Sequence, residues 1–187
     1  MVQGRVRLED GSEIELQNLN GGEPFALVFL RHYGCIFCRY QVAQLRPAAD
    51  LPVFFVGMGT VDEAASFKQR MRSPHRFIAD PDRSLYERFG VQRGKPSQVF
   101  TLRALGTGIR ATLSGQFQGK PTADPMQLGA AFILDGSGNV CWSRYSDDVA
   151  EIVGASTLRE QLARVGKLES AVLGEDNPGG HHPLTGN

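Results

Sequence analysis

The chain has 187 residues, 41% of them hydrophobic and 21% charged, and its 20 basic residues cancel its 20 acidic ones. A chain of this size fills one core and is short for two, while zero net charge removes any global attraction to nucleic acid or to an anionic membrane. The longest apolar run stops at Arg31, well short of the roughly 20 residues of a membrane helix. The charged stretch from Met1 to Asp10 lacks the apolar centre of a secretory signal, so a cytoplasmic location is the default expectation.

Taken in chain order, Val6-Arg7-Leu8 and Ile14-Glu15-Leu16 alternate about Asp10-Gly11, a dipeptide that supplies the positive φ angles of a tight turn, which predicts a hairpin. Residues 25–30 are apolar without alternation, as in a strand covered on both faces. A helix carrying Cys35 and Cys38 follows, with Tyr40, Val42 and Leu45 on it and Pro47 near its end. Val53 to Val56 is a second buried strand, and Thr60-Val61-Asp62-Glu63 is a capping box opening a helix towards Met71. A short strand is expected at Phe77–Ala79. Asp80 as N-cap, Pro81 at the first helical position and Gly90 past the end frame a third helix.

Ala130–Leu134 and Val140–Trp142 flank Asp135–Asn139 and read as an antiparallel hairpin. Thr157-Leu158-Arg159-Glu160 is expected to cap a last helix through Leu162 and Val165, leaving residues 1–166 as the domain and 167–187 as a flexible tail. Alternating strands and helices, then a hairpin and a closing helix, imply an α/β domain with a mixed central sheet flanked by helices. Residues 91–127 interrupt the pattern with Arg93, Lys95, Arg103, Arg110 and Lys120 against the single acid Asp124. The insertion reads either as a solvated excursion with a helix near Phe100–Leu105 or as a basic flap over the thiols, which would favour anionic substrates and thiolate formation.

Cys35-Ile36-Phe37-Cys38 sits where the buried strand gives way to a helix. Unpaired N–H groups and the positive end of the dipole at a helix start favour a thiolate over a thiol, and the three-residue spacing puts both sulfurs on one helical face, near enough to close or open a disulfide. With three cysteines in a chain this long, such a pair is catalytic or metal-binding rather than part of a disulfide scaffold. Zinc wants four ligands, and Cys141 with the tail histidines His181 and His182 is a poor supply of the remainder. No cofactor-binding fingerprint survives inspection: Gly94-Lys95-Pro96-Ser97 and Gly119-Lys120-Pro121-Thr122 place proline where a phosphate loop needs a hydroxyl.

Three stretches carry a family resemblance: Leu27 to Arg39 (LVFLRHYGCIFCR), Leu85 to Gly90 (LYERFG) and Asp124 to Asp135 (DPMQLGAAFILD). Together they resemble the peroxiredoxin-like branch of the thioredoxin-like superfamily, the alkyl hydroperoxide reductase and thiol-specific antioxidant proteins, over roughly residues 3–165. That branch includes proteins described as prostaglandin F synthases. The resemblance implies a thioredoxin-like fold, a peroxide as oxidant and a cellular dithiol such as a thioredoxin as reductant. Where thioredoxins carry a cis-proline and peroxiredoxins tend to carry an arginine, counting back from Asp135 gives Gly129, which leaves room for close backbone approach of a partner or ligand.

Cys35 is the candidate attacking thiol, exposed at the helix start, with Arg31, His32 and Arg39 placed to lower its pKa and Cys38 to resolve the intermediate. The register of peroxiredoxins, a threonine three residues before the reactive cysteine, fits both His32 to Cys35 and Cys35 to Cys38, and in the second case the roles swap. His32 is either a proton carrier near physiological pH or a strand-end histidine bonded to backbone. Tyr33 and Phe37 would form an apolar docking rim or pack into the core, and Cys141 reads as a small buried hydrophobe beside Trp142. The expected activity is reduction of a peroxide or disulfide through Cys35 and Cys38. Its rivals are a protein disulfide reductase without peroxidase activity and a non-catalytic interaction module.

Overall fold

The computed structural model describes residues 2–94, 102–117, 119, 124, 126–148 and 150–175. Strand β3 (Phe25–Phe29) is at the heart of a seven-stranded sheet because every one of its side chains is apolar and can be buried from either side. In chain order the strands are β1 (Arg5–Leu8), β2 (Glu13–Glu15), β3, β4 (Val53–Gly57), β5 (Arg76–Ala79), β6 (Ala130–Leu134) and β7 (Val140–Tyr145). Their spatial order is β2-β1-β5-β4-β3-β6-β7. β3, β4 and β5 run parallel, and the two hairpins β1/β2 and β6/β7 attach antiparallel at either side. The mixed α/β sheet and the N-terminal hairpin are as the sequence pattern predicts.

Alternate residues of the central strands feed two cores. One face, with Ala26, Val28, Phe55 and Ile133, is covered by α1 (Ile36–Leu45), α2 (Val61–Met71) and α5 (Ala155–Glu175) through Val42, Phe67 and Leu158. The other, with Phe25, Leu27, Phe29 and Phe132, receives Leu85, Tyr86 and Phe89 of α3 (Ser84–Arg88) and its flank, together with Val6 and Leu8 of the hairpin. Phe29, Tyr86, Phe89 and Phe132 pack as a cluster of tilted and edge-on rings with centroids 4.8 to 5.5 Å apart, within the range that adds to simple burial.

Several boundaries differ from expectation. The capping box of Thr60 and Glu63 forms as predicted, but α3 begins after Arg83 rather than after Asp80. Asp80 still serves its start from outside, accepting hydrogen bonds from the N–H groups of Leu85 (2.9 Å) and Tyr86 (3.3 Å), so a carboxylate satisfies the orphan donors without occupying the cap position. Helix α5 begins at Ala155, ahead of Thr157, and continues to Glu175, which makes residues 167–175 helical instead of a flexible tail. His181 and His182 lie outside the described residues. Cys141 is exposed on β7, not buried, because β7 is the edge strand and its ladder with β6 shifts register beside Ile133 and Leu134.

The β6/β7 turn is pressed against the loop before β3. A Cβ added at Gly136 would lie 1.6 Å from the carbonyl oxygen of Gly22, a backbone atom that no rotamer change relieves. Gly136→Ala is therefore expected to cost about 2–4 kcal/mol, read as a lowered midpoint in urea with an unchanged slope.

Candidate active site

Because β3 and β4 run parallel while β6 returns antiparallel beside β3, the C-terminal end of β3 and the approach to β6 meet at one end of the sheet. This is the end at which parallel strands deliver chemistry. The chain leaves β3 through Leu30, turns at Cys35, whose N–H donates to the His32 carbonyl (3.1 Å), and enters α1 with Cys35 as N-cap in an extended conformation. The carbonyl of Leu30 accepts a hydrogen bond from the buried Tyr86 hydroxyl, which also donates to Val56 (3.0 Å). The loop thus starts from a fixed point.

Arg31 folds back over the two sulfurs. Its own N–H donates to Cys38 Sγ at 3.1 Å, a guanidinium nitrogen approaches Cys35 Sγ at 3.3 Å, and Nε donates to the Gln127 carbonyl at 2.7 Å. Both cysteines are free thiols and both are buried, Cys35 to 1% exposure, which corrects the expectation of an exposed first sulfur. The segment following α4 (Leu102–Leu113) helps to cover the loop: α4 packs against α1, and Gly119 N–H donates to the Gly34 carbonyl at 2.8 Å.

The two thiols are driven apart in acidity. A hydrogen bond donated by Cys38 is the largest influence on Cys35; burial opposes it, and the Arg31 charge with the amides of Cys38 and Phe37 adds to it, so the Cys35 thiol is lowered to about 6. Burial, and then the adjacent Cys35 anion, hold the Cys38 proton well above the ordinary thiol range. The arrangement favours the thiolate at Cys35, with Cys38 as the thiol that donates to it.

The other candidates divide. Arg39 lies beside the loop but is turned away from the thiolate, donating to the carbonyls of Tyr33 (3.3 Å) and Phe117 (3.0 Å); it ties the cysteine loop to the segment after α4. His32 is buried, and burial followed by the charges of Arg31 and Arg39 lowers its pKa to about 4. This favours the neutral ring at physiological pH. Tyr33 is a core residue stacked on Phe67 (centroids 4.6 Å apart) over Gly57 and Gly59, so the docking rim reduces to the half-buried Phe37.

Gly129 is where the end of β3 approaches closely: a Cβ there would meet the Phe29 carbonyl at 3.1 Å and Ser146 Oγ at 3.3 Å. Beside it a cavity of about 30 Å³, lined by Arg31, Cys38, Gln41 and Ser146 among others, reaches the Cys38 side chain. Such a volume holds a single water-sized molecule. Although exposed, the Cys141 thiol is raised by partial desolvation and by the acids Asp135 and Glu169, the opposite of what a redox thiol needs. Of the basic insertion, Arg93 is paired with Asp124 at 2.5 Å rather than with a sulfur, while Lys95 and Lys120 lie outside the described residues. Among the described residues no three His, Cys, Asp or Glu side chains converge as metal ligands.

Sequence reasoning missed Gln127. It has no accessible surface and joins the site from the far side of the insertion. Its place in the Asp124–Asp135 stretch, as an amide side chain just before a wholly apolar strand, was the available signal.

The model of one family, described as AhpC/TSA antioxidant enzyme, matches residues 40–148, beginning just after the cysteine pair. Among curated proteins, the chain is 27% identical over 114 residues to the thioredoxin-like protein AAED1, chloroplastic, of Arabidopsis thaliana, covering 58% of this chain and 46% of that one. It is 26% identical over 134 residues to peroxiredoxin-like 2C of Mus musculus (61% and 57%), and 24% identical over 186 residues to the prostamide/prostaglandin F synthase of Homo sapiens (90% and 87%). The chain spans about half the length of the first two of these relatives. Among solved structures, a peroxiredoxin-like protein from Aquifex aeolicus superimposes with a TM-score of 0.62 at 12% identity, covering 88% of this chain and 84% of that one. Peroxidoxin BcpB from Mycobacterium tuberculosis gives 0.59 at 16% identity, covering 90% and 94%. These likenesses show a peroxiredoxin-like thioredoxin fold, and the match across more than half of its residues shows that the chain belongs to the AhpC/TSA antioxidant enzyme family.

Proposed function

We propose that the protein is a thiol-dependent oxidoreductase that reduces a peroxide through Cys35 and Cys38. The observation that carries this reading is the buried Cys35 sulfur, kept as a thiolate by the Cys38 thiol and by the Arg31 guanidinium at 3.3 Å. The thiolate attacks one oxygen of the O–O bond, which breaks; Cys35 becomes a sulfenic acid and the other oxygen leaves as an alcohol or water after taking a proton. Cys38 then attacks that sulfur, forming the Cys35–Cys38 disulfide and releasing water. A cellular dithiol such as a thioredoxin returns both to thiols by exchange. With Cys35 at 1% exposure, a small peroxide reaches it more readily than the disulfide of another folded protein, which favours peroxidase over disulfide reductase as the first half-reaction.

The test is oxidation of the reduced protein with one equivalent of hydrogen peroxide or an alkyl hydroperoxide, followed by thiol labelling and intact mass. The expected product has lost a pair of hydrogens and two labelling sites, both mapped to Cys35 and Cys38, with Cys141 still labelled. Protection by disulfide donors alone would favour the reductase, and no protection by either would leave an interaction module.

A further inference from the structure

Resting on that reading, we propose that Gln127 is a positioning residue that sets the reactivity of Cys35 by holding Arg31 in place, with Arg83 as its anchor. Arg31 cannot aim at a sulfur unless something orients its long side chain, and the Gln127 backbone carbonyl accepts its Nε at 2.7 Å. That carbonyl is fixed in turn by the rest of the residue. The two protons of the Gln127 side-chain NH2 are shared among the carbonyls of Val91 (3.1 Å), Gln92 (3.0 Å) and Leu128 (3.1 Å), and its side-chain oxygen accepts from Arg83 at 2.9 Å. The side chain has no accessible surface, so none of these bonds is traded for water. Gln127 is therefore inserted between two guanidiniums, one on its backbone oxygen and one on its side-chain oxygen.

Arg83 shows that this arrangement is maintained at a cost. It is one of two non-glycine residues among those described with positive φ, at +61°, a conformation that disfavours L side chains. It sits there as N-cap of α3, from where its side chain spans to Gln127. Arg83 does not itself reach Cys35; its influence passes through Gln127 and Arg31. The line Arg83, Gln127, Arg31, Cys35 joins the start of α3 and the approach to β6 to the start of α1, which are far apart in sequence.

The experiment follows the ultraviolet absorbance of the thiolate against pH in full-length Cys38→Ser/Cys141→Ser protein, so that Cys35 is the only thiol titrated, with thermal unfolding recorded alongside. Adding Gln127→Ala is expected to raise the Cys35 midpoint by about one pH unit, a tenfold loss of thiolate below the midpoint. Arg83→Met, which leaves the core amide in place, is expected to move it in the same direction by less, and Arg83→Lys to restore part of the shift. A merely structural role lowers the unfolding temperature and leaves the midpoint where it was. An unchanged midpoint in Arg83→Met, and in Gln127→Ala where that variant folds, would overturn the proposal while the peroxidase reading stands. An ordinary thiol midpoint in the parent protein would overturn both.

Discussion

Cys35→Ser is expected to abolish peroxide consumption, and Cys38→Ser to leave one round of it. Serine at position 35 keeps the shape of the helix start but replaces a thiol lowered to about 6 by a hydroxyl that no neighbouring charge ionises at neutral pH. The expected loss in the peroxide rate constant is at least about 10³-fold, the scale on which removal of a covalent nucleophile is felt. The Cys38 variant separates the two halves of the cycle. A serine hydroxyl still donates a hydrogen bond to Cys35, so the thiolate persists, but it cannot form a disulfide. One equivalent of hydroperoxide is then consumed, Cys35 stops at sulfenic acid, and a dimedone-type reagent adds to it in the mass spectrum. The roles are reversed if the adduct appears on Cys38 in Cys35→Ser protein and never on Cys35. Stopped-flow consumption under single-turnover conditions reads both outcomes.

The strands and the cysteine turn were legible because their signals are local. Residues 25–30 are apolar throughout, and a strand buried on both faces is what such a run can form. Thr60 and Glu63 bond to each other's backbone within one turn, so four letters suffice to place a helix start. Boundaries failed where tertiary contacts decide them. Asp80 looked like a cap by position, yet its carboxylate does the same electrostatic work from three residues before the N-cap, and sequence spacing does not distinguish the two. Cys141 looked buried because Val140 and Trp142 flank it, but which strand lies at the edge of a sheet is a property of the whole topology.

The site was half legible for the same reason. Arg31 and Cys38 lie within one loop and one turn of Cys35, and their proximity follows from the chain itself. His32 and Arg39 are equally near in sequence but diverge: His32 is enclosed as a neutral ring, and Arg39 finds backbone carbonyls. Nearness limits where a side chain can reach without saying which acceptor it takes. Gln127 arrives only because β6 pairs with β3, and although the intervening insertion carries helix α4, its pattern does not say beside which strand the chain returns.

Arg31→Met is expected to raise the Cys35 midpoint and to slow peroxide reduction at neutral pH by about one to two orders of magnitude. Methionine fills much of the same buried volume, so the change is chiefly one of charge and of the bonds to Cys35 and the Gln127 carbonyl. With the cation gone, burial works against the anion unopposed by Arg31, and Cys38 and the helix-start amides remain as its support. The sign is checkable in stability as well. A depressed thiol adds stability that is fully present above its unfolded pKa of about 8.5 and is lost as pH falls through the folded value, here about 6. The stability gap between the reduced native protein and Arg31→Met should therefore widen as pH rises from about 6 to the variant's own higher midpoint, and stay constant above it. Denaturant midpoints measured across that window decide it: a gap that is constant with pH would mean Arg31 serves packing alone. Arg31→Lys restores the charge without the fork that spans sulfur and carbonyl, and is expected to recover part of the midpoint shift and less of the rate.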